Sequence, residues 1–293
     1  MIELLMKPKR AERYPWEMFF VGLFWASVSL LFVSLIFGGD SVLKDGSGLL
    51  VVVFTMICCL PFMYYIIKLE EGKDMVISDS GRLIREHSRA VIALMWMFLG
   101  FVVAFSFWYL VLPIELGSMS IGGEAGQNFN FQIKTFCAIN NPSTYEHCLG
   151  QYGVTTVTGS VAGSDIVLNI FANNIYVLIF TIIFSLAFGA GAMFILVWNA
   201  SVIAAAIGIF AKGSLSHLPL GLMRYMIHGI PEIAAYFIGA IAGGIVSVAV
   251  IRKDLHGETK WAILQDAFLM VLLAIGILVV AALMEVYLTP VLI

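Results

Sequence analysis

The feature that most limits what this chain can become is its succession of apolar runs, each near the length of a bilayer crossing and parted by polar breaks. A helix rises about 1.5 Å per residue, so roughly 20 apolar residues cover the ~30 Å hydrocarbon core of a membrane. Of the 293 residues, 61% are hydrophobic and only 12% charged, which is more apolar surface than a soluble core would bury. The expected fold is therefore all-α, a polytopic integral membrane helical bundle. The runs fall at residues 18–38, 49–67, 90–112, 174–189, 192–211, 222–250 and 263–288, about seven transmembrane helices. The tract 170–211 would be about 60 Å of unbroken helix, twice the hydrocarbon thickness, so it must turn. Gly189, Ala190 and Gly191 are the natural place. An alternative keeps six spans and makes 199–211 a re-entrant helix buried in protein.

Charge sets the expected orientation. Lys7, Lys9, Arg10 and Arg13 precede the first run, and Lys68, Lys73, Arg82, Arg85 and Arg89 lie between the second and third. By the positive-inside bias both segments face the cytoplasm, so seven crossings of the cell membrane leave the N-terminus cytoplasmic and the C-terminus extracytoplasmic. The alternating acids and bases of residues 68–89 read as a solvated surface helix. Proline is expected to kink the second span at Pro61. The lipid bilayer is the partner the composition demands; a net charge of −3 gives no ground for nucleic acid.

One polar segment is long. Residues 113–169 form an extracytoplasmic loop too extended for a mere connector, and such loops cap a fold or dock a partner protein. Its Gly, Ser, Thr and Asn content over 117–163 suggests irregular structure or short strands. Cys137 and Cys148 lie within it at a spacing suited to a disulfide, provided the loop faces an oxidising compartment. Cys58 and Cys59 sit inside a span as small packing residues.

Polar groups inside the spans are costly and carry the functional question. His228 and Glu232 lie one helical turn apart, about 9 and 15 Å inside the outer end of the sixth run. Pro231 between them frees the Ile227 carbonyl, and Gly229 eases a bend. Asn173 and Asn174 open the fourth run, Asn199 lies within the fifth, and Glu285 sits one turn below the outer end of the seventh. On the face of Glu232, Ala235, Gly239, Gly243 and Ser247 recur every fourth residue, a small-residue stripe for close helix packing. That stripe suits a homodimer seam or packing within the monomer.

Three readings fit these groups. Asn174, His228, Glu232 and Glu285 can satisfy one another and fix helix packing. They can line a path for an ion, a proton or a small solute. They can hold a metal for hydrolysis, with His228, Glu232 and Glu285 as ligands, although one histidine within a span is a weak metal signal. No Gly-rich phosphate loop, serine nucleophile elbow or Cys–His dyad occurs, so no cofactor is called for and catalysis is not the favoured reading.

The order and spacing of Phe171 with Asn173 and Asn174, Gly189 and Gly191, Asn199, the segment His228-Gly229-Ile230-Pro231-Glu232, the small residues 239–244 and the closing Glu285 with Thr289-Pro290 resemble the stage II sporulation protein M family. The resemblance covers about residues 90–293 and makes residues 1–89, with the first two spans, an addition to the family core. Ala200 and Ile227 depart from the glycine and proline frequent there. The resemblance implies a membrane scaffold that holds partner proteins, since the namesake works in a complex with peptidoglycan-degrading proteins during engulfment. It also marks Asn174, Asn199, His228, Glu232 and Glu285 as the motif residues.

Overall fold

The computed structural model describes residues 7–37, 46–74, 76–77, 80–111, 129–140, 147–148, 166–188, 192–211, 215–252 and 257–289. Every regular element among them is helical. A short helix α1 (Pro8–Arg13) leads into α2 (Glu17–Phe37), α3 (Ser47–Asp74), α4 (Ser80–Val111), α5 (Asn130–Asn140), α6 (Ile166–Phe188), α7 (Ala192–Ala211), α8 (Leu218–Arg252) and α9 (Gly257–Leu283). The last helix runs on into a π-helical turn, Met284–Leu288.

Six of these helices are long and apolar enough to cross a membrane, and α6 adds a shorter apolar stretch, Ile170–Leu186. The tract 170–211 divides between two helices, α6 ending at Phe188 and α7 beginning at Ala192. Residues 199–211 are therefore the second half of one 20-residue helix that begins at Ala192. Residues 189–191, where the turn was expected, lie outside the described residues. Pro61 and Pro231 both sit inside continuous helices.

Burial sorts the helices. One side of α7 is sealed by Ala192, Leu196, Ala200, Ala204 and Ala205, none of which is exposed, and α8 is buried from Ala235 through Ile245. Small residues allow that density because the backbones can approach. Phe98 of α4 meets Phe237 of α8 edge to face at 6.2 Å. The peripheral α2 and α9 keep Phe20, Phe24, Leu35, Phe268, Leu272 and Val280 exposed, the apolar outer face a bilayer requires.

The N-terminal helices share this core. A Cβ on Gly22 of α2 would collide with the Met97 carbonyl of α4, and one on Gly100 of α4 with the Phe19 carbonyl of α2, so the two backbones touch. Trp108 of α4 donates its indole N–H to Ser27 of α2 at 2.9 Å.

Two regions differ from the sequence reading. Residues 68–89 do not form a separate solvated helix. The α3 and α4 helices simply continue past their apolar stretches, and their extensions bury Glu70, Glu71 and His87. Within 113–169, the described residues hold helix and no strand, while 113–128, 141–146 and 149–165 lie outside the described residues. The α5 helix enters the bundle: Gln132 donates to the Gly48 carbonyl of α3 and to Ser201 of α7, each at 3.2 Å. Phe129 packs on Tyr109 of α4 with ring centroids 5.2 Å apart. A disulfide joins Cys137 to Cys148, Cα to Cα 5.9 Å.

Candidate functional site

The site is assembled by the parallel packing of α6 against α8. Both must come close for short side chains to meet, and the small stripe on α8 permits it. A Cβ on Gly239 would lie 2.5 Å from the Leu178 side chain, and one on Gly243 would lie 2.9 Å from the Ile182 carbonyl. Ala235 is buried and Ser247 is 5% exposed, so the stripe is occupied within the chain and is not open to a second copy. Ser185 of α6 completes the contact by donating to the Ala240 carbonyl at 2.5 Å.

One turn toward the N-terminal end of α6, this packing sets Asn174 against α8. Its amide uses both ends: Nδ2 donates to Glu232 Oε1 at 2.6 Å, and Oδ1 accepts from the Tyr236 hydroxyl at 2.9 Å. Residues four apart on a helix stack along one face, so Glu232 and Tyr236 can reach the same amide. Asn174 is 6% exposed and Tyr236 2%, which leaves water little access to break the chain Tyr236–Asn174–Glu232.

His228, the next residue up this face, turns elsewhere. Its Nδ1 lies 3.2 Å from Thr289 Oγ1, and the Thr289 hydroxyl donates its own proton to the Met284 carbonyl at 3.2 Å. With that proton committed, the bond to His228 needs Nδ1–H as the donor. The π-turn creates the acceptor, because widening the helix at 284–288 redirects the backbone carbonyls of its turn. Glu285, half-buried in that turn, has no hydrogen bond among the described residues. Arg224 lies one turn above His228 and covers the Phe210 ring at 5.3 Å. The face of α8 thus carries Arg224, His228, Glu232 and Tyr236 at successive turns.

The other sequence candidates stand apart. Asn173 is exposed beside the cluster. Asn199 donates to the Ile195 carbonyl of its own helix at 2.7 Å, and no bond to the cluster is formed among the described residues. Gly229 and Ile230 line an apolar groove of about 450 Å³ between α8 and α4, on the side of α8 away from Glu232. Among the described residues no group of three or more His, Cys, Asp or Glu is arranged to hold a metal ion, and His228 spends its Nδ1 on Thr289.

Tyr236 and Thr289 are the members that polar-residue counting passes over. Tyr236 was detectable as the position four residues beyond Glu232. Nothing in the sequence announces a π-turn, so the Thr289 contact had no signal.

Comparison with known proteins adds a frame to this geometry. The profile of the family described as Stage II sporulation protein M matches residues 89–290, about two thirds of the chain. A protein of Methanocaldococcus jannaschii named "Uncharacterized protein MJ0793" is 32% identical over 127 residues, covering 42% of this chain and 70% of that protein. No solved structure matches.

Proposed function

The chain belongs to the stage II sporulation protein M family, and from that premise we propose that it is a membrane scaffold, holding partner proteins through the segments outside its bundle. The observation that carries this reading is the Tyr236–Asn174–Glu232 chain, in which one amide bonds through both its nitrogen and its oxygen to two side chains of another helix. Such a closed arrangement serves rigidity, and a scaffold needs a rigid frame on which loops are presented. The family resemblance supports the same assignment.

The orientation follows in this reading. The Cys137–Cys148 disulfide favours an oxidising, extracytoplasmic compartment for the α5 segment, and Lys7, Lys9, Arg10 and Arg13 favour the cytoplasm for the N-terminus of a cell-membrane protein. Partners are then met at the outer face, around the exposed Phe131 and Ala138 of α5.

One observation favours a second reading, transport of a cation or proton. Glu285 has no hydrogen bond among the described residues and lies in the π-turn that His228 reaches through Thr289, so an acid without a hydrogen-bonded partner sits near the cluster. Proteoliposomes separate the two. A scaffold carrying Glu232→Gln keeps its fold and partner complexes, and neither form moves ions. A transporter shows flux that Glu232→Gln abolishes.

A further inference from the structure

A groove of about 700 Å³ lies at the start of the first span, between α1 and the first half of α2. Local geometry opens it. The chain turns between the two helices at residues 14–16, where Glu17 and Met18 donate their backbone N–H groups to the Tyr14 and Pro15 carbonyls at 3.1 and 3.0 Å. Arg10 braces α1 to α2 with a two-pronged pair to Glu17 at 2.7 and 2.8 Å. Ala11, Met18 and Val21, all buried, form the floor.

The lining changes character along its length. Lys7, Arg10 and Glu17 stand at the α1 end, and beyond them Phe20, Phe24 and Trp25 follow α2. From Glu17 to Trp25 the helix advances by about 12 Å. Trp16, Phe20 and Phe24 are 53%, 58% and 52% exposed, so the groove is open on its outer side. Because α2 is long and apolar enough to cross a membrane, what meets that open side is lipid. Tryptophan beside lysine and arginine at the end of a span marks the level of the headgroups. Charge at the headgroup level with an aromatic trough beneath it is the profile of one lipid molecule.

Charge then selects the lipid. Among the described residues the charged members of the lining are Lys7, Arg10 and Glu17, two cations and one anion. Arg10 and Glu17 neutralise each other, which leaves the exposed Lys7 to face a headgroup. Lys9 and Arg13, also exposed on α1, strengthen the positive field. The groove between α8 and α4 is the contrast, since no charged side chain among the described residues lines it and nothing there distinguishes one headgroup from another.

We propose that the α1–α2 groove seats an anionic phospholipid, its phosphate against Lys7 and Arg10 and an acyl chain along Phe20, Phe24 and Trp25. In the orientation given above α1 meets the cytoplasmic leaflet, where anionic lipids lie and basic segments beside a span attract them. The site itself requires only that α2 cross a bilayer, so its failure would leave the scaffold reading intact.

The test is native mass spectrometry of the full chain in detergent, titrated with palmitoyl-oleoyl phosphatidylglycerol or with the phosphatidylcholine of the same acyl chains, which differs from it in net charge. The anionic lipid should bind at least about fivefold more tightly, the worth of one cation at a lipid surface. Lys7→Gln should remove most of that preference and leave phosphatidylcholine binding unchanged. Glu17→Gln releases Arg10 from its internal anion and should tighten phosphatidylglycerol by about fivefold. An exposed ion pair adds little to stability, and α1 stays fastened by buried Ala11 and by the Glu12 carboxylate, which accepts from Lys73 Nζ at 2.6 Å. An excess of inorganic phosphate should not displace the lipid. Equal affinity for the two lipids, an undiminished preference in Lys7→Gln, phosphatidylglycerol bound no more tightly by Glu17→Gln, or displacement by phosphate would each overturn the proposal.

Discussion

Two asparagines inside the bundle provide the sharpest perturbation, because the structure gives them opposite roles. Asn174 joins two helices, donating to Glu232 and accepting from Tyr236, whereas among the described residues Asn199 bonds only to the Ile195 carbonyl of its own helix. Interhelical hydrogen bonds in membrane proteins average about 0.6 kcal/mol and reach about 1.7. Asn174→Ala removes two of them, so the loss should be about 1–3 kcal/mol, a factor of roughly 5 to 150 in the folding equilibrium. Asn199→Ala removes a bond to a carbonyl already within the helix ladder and should cost under about 0.5 kcal/mol. Steric trapping of the unfolded state in bicelles reads both values on one scale. Equal losses for the two variants would refute the reasoning, since residue type and not the interhelical network would then decide the cost.

Three further outcomes follow from packing and covalent geometry. Gly243→Leu drives atoms into the Ile182 carbonyl and should part α6 from α8 at a cost of about 1–3 kcal/mol, while Gly276→Ala, with nothing within 4 Å of its Cβ, should gain up to about 1 kcal/mol of helix propensity; thermal aggregation in detergent ranks them. Gly22→Ala meets the Met97 carbonyl and should loosen α2 from α4, seen as faster proteolysis of the N-terminal helices under conditions that leave the remaining chain intact. Cys148→Ser opens the bridge to Cys137 and should lower stability by about 2–3 kcal/mol, with dithiothreitol reproducing the effect on the unaltered chain but not on the variant.

How much of this was legible depended on the physical signal each residue leaves. Apolar runs near bilayer length betray spans directly, which is why the ranges for residues 18–38 and 192–211 fall so close to α2 and α7. Asn174 and Glu232 were visible because a polar group in an apolar run is costly wherever it points. Their pairing was visible only as a matching depth. Tyr236 is legible in the sequence only as a position one turn beyond Glu232 on the same face, and its hydroxyl gained meaning once α6 brought an amide to it. The charges of 68–89 misled for the opposite reason. In sequence they resemble a solvated face, but α3 and α4 run on as a hairpin that buries Glu70 against His87, 17 residues away. Asn199 shows the limit of motif reading, since a polar residue in a span can satisfy itself on its own helix.

The central claim, that the bundle is a rigid frame presenting loops to partners, is tested most directly by photo-crosslinking in living cells. A crosslinking amino acid at Phe131 or Ala138 probes the exposed side of α5, and one at Phe180 or Leu272, both exposed on the apolar surface, serves as the lipid-facing control. The account predicts discrete protein adducts from the α5 positions, lipid alone from the controls, and the same adducts when Glu232→Gln is added. Absence of protein adducts at α5, together with Glu232-dependent ion flux in proteoliposomes, would contradict it.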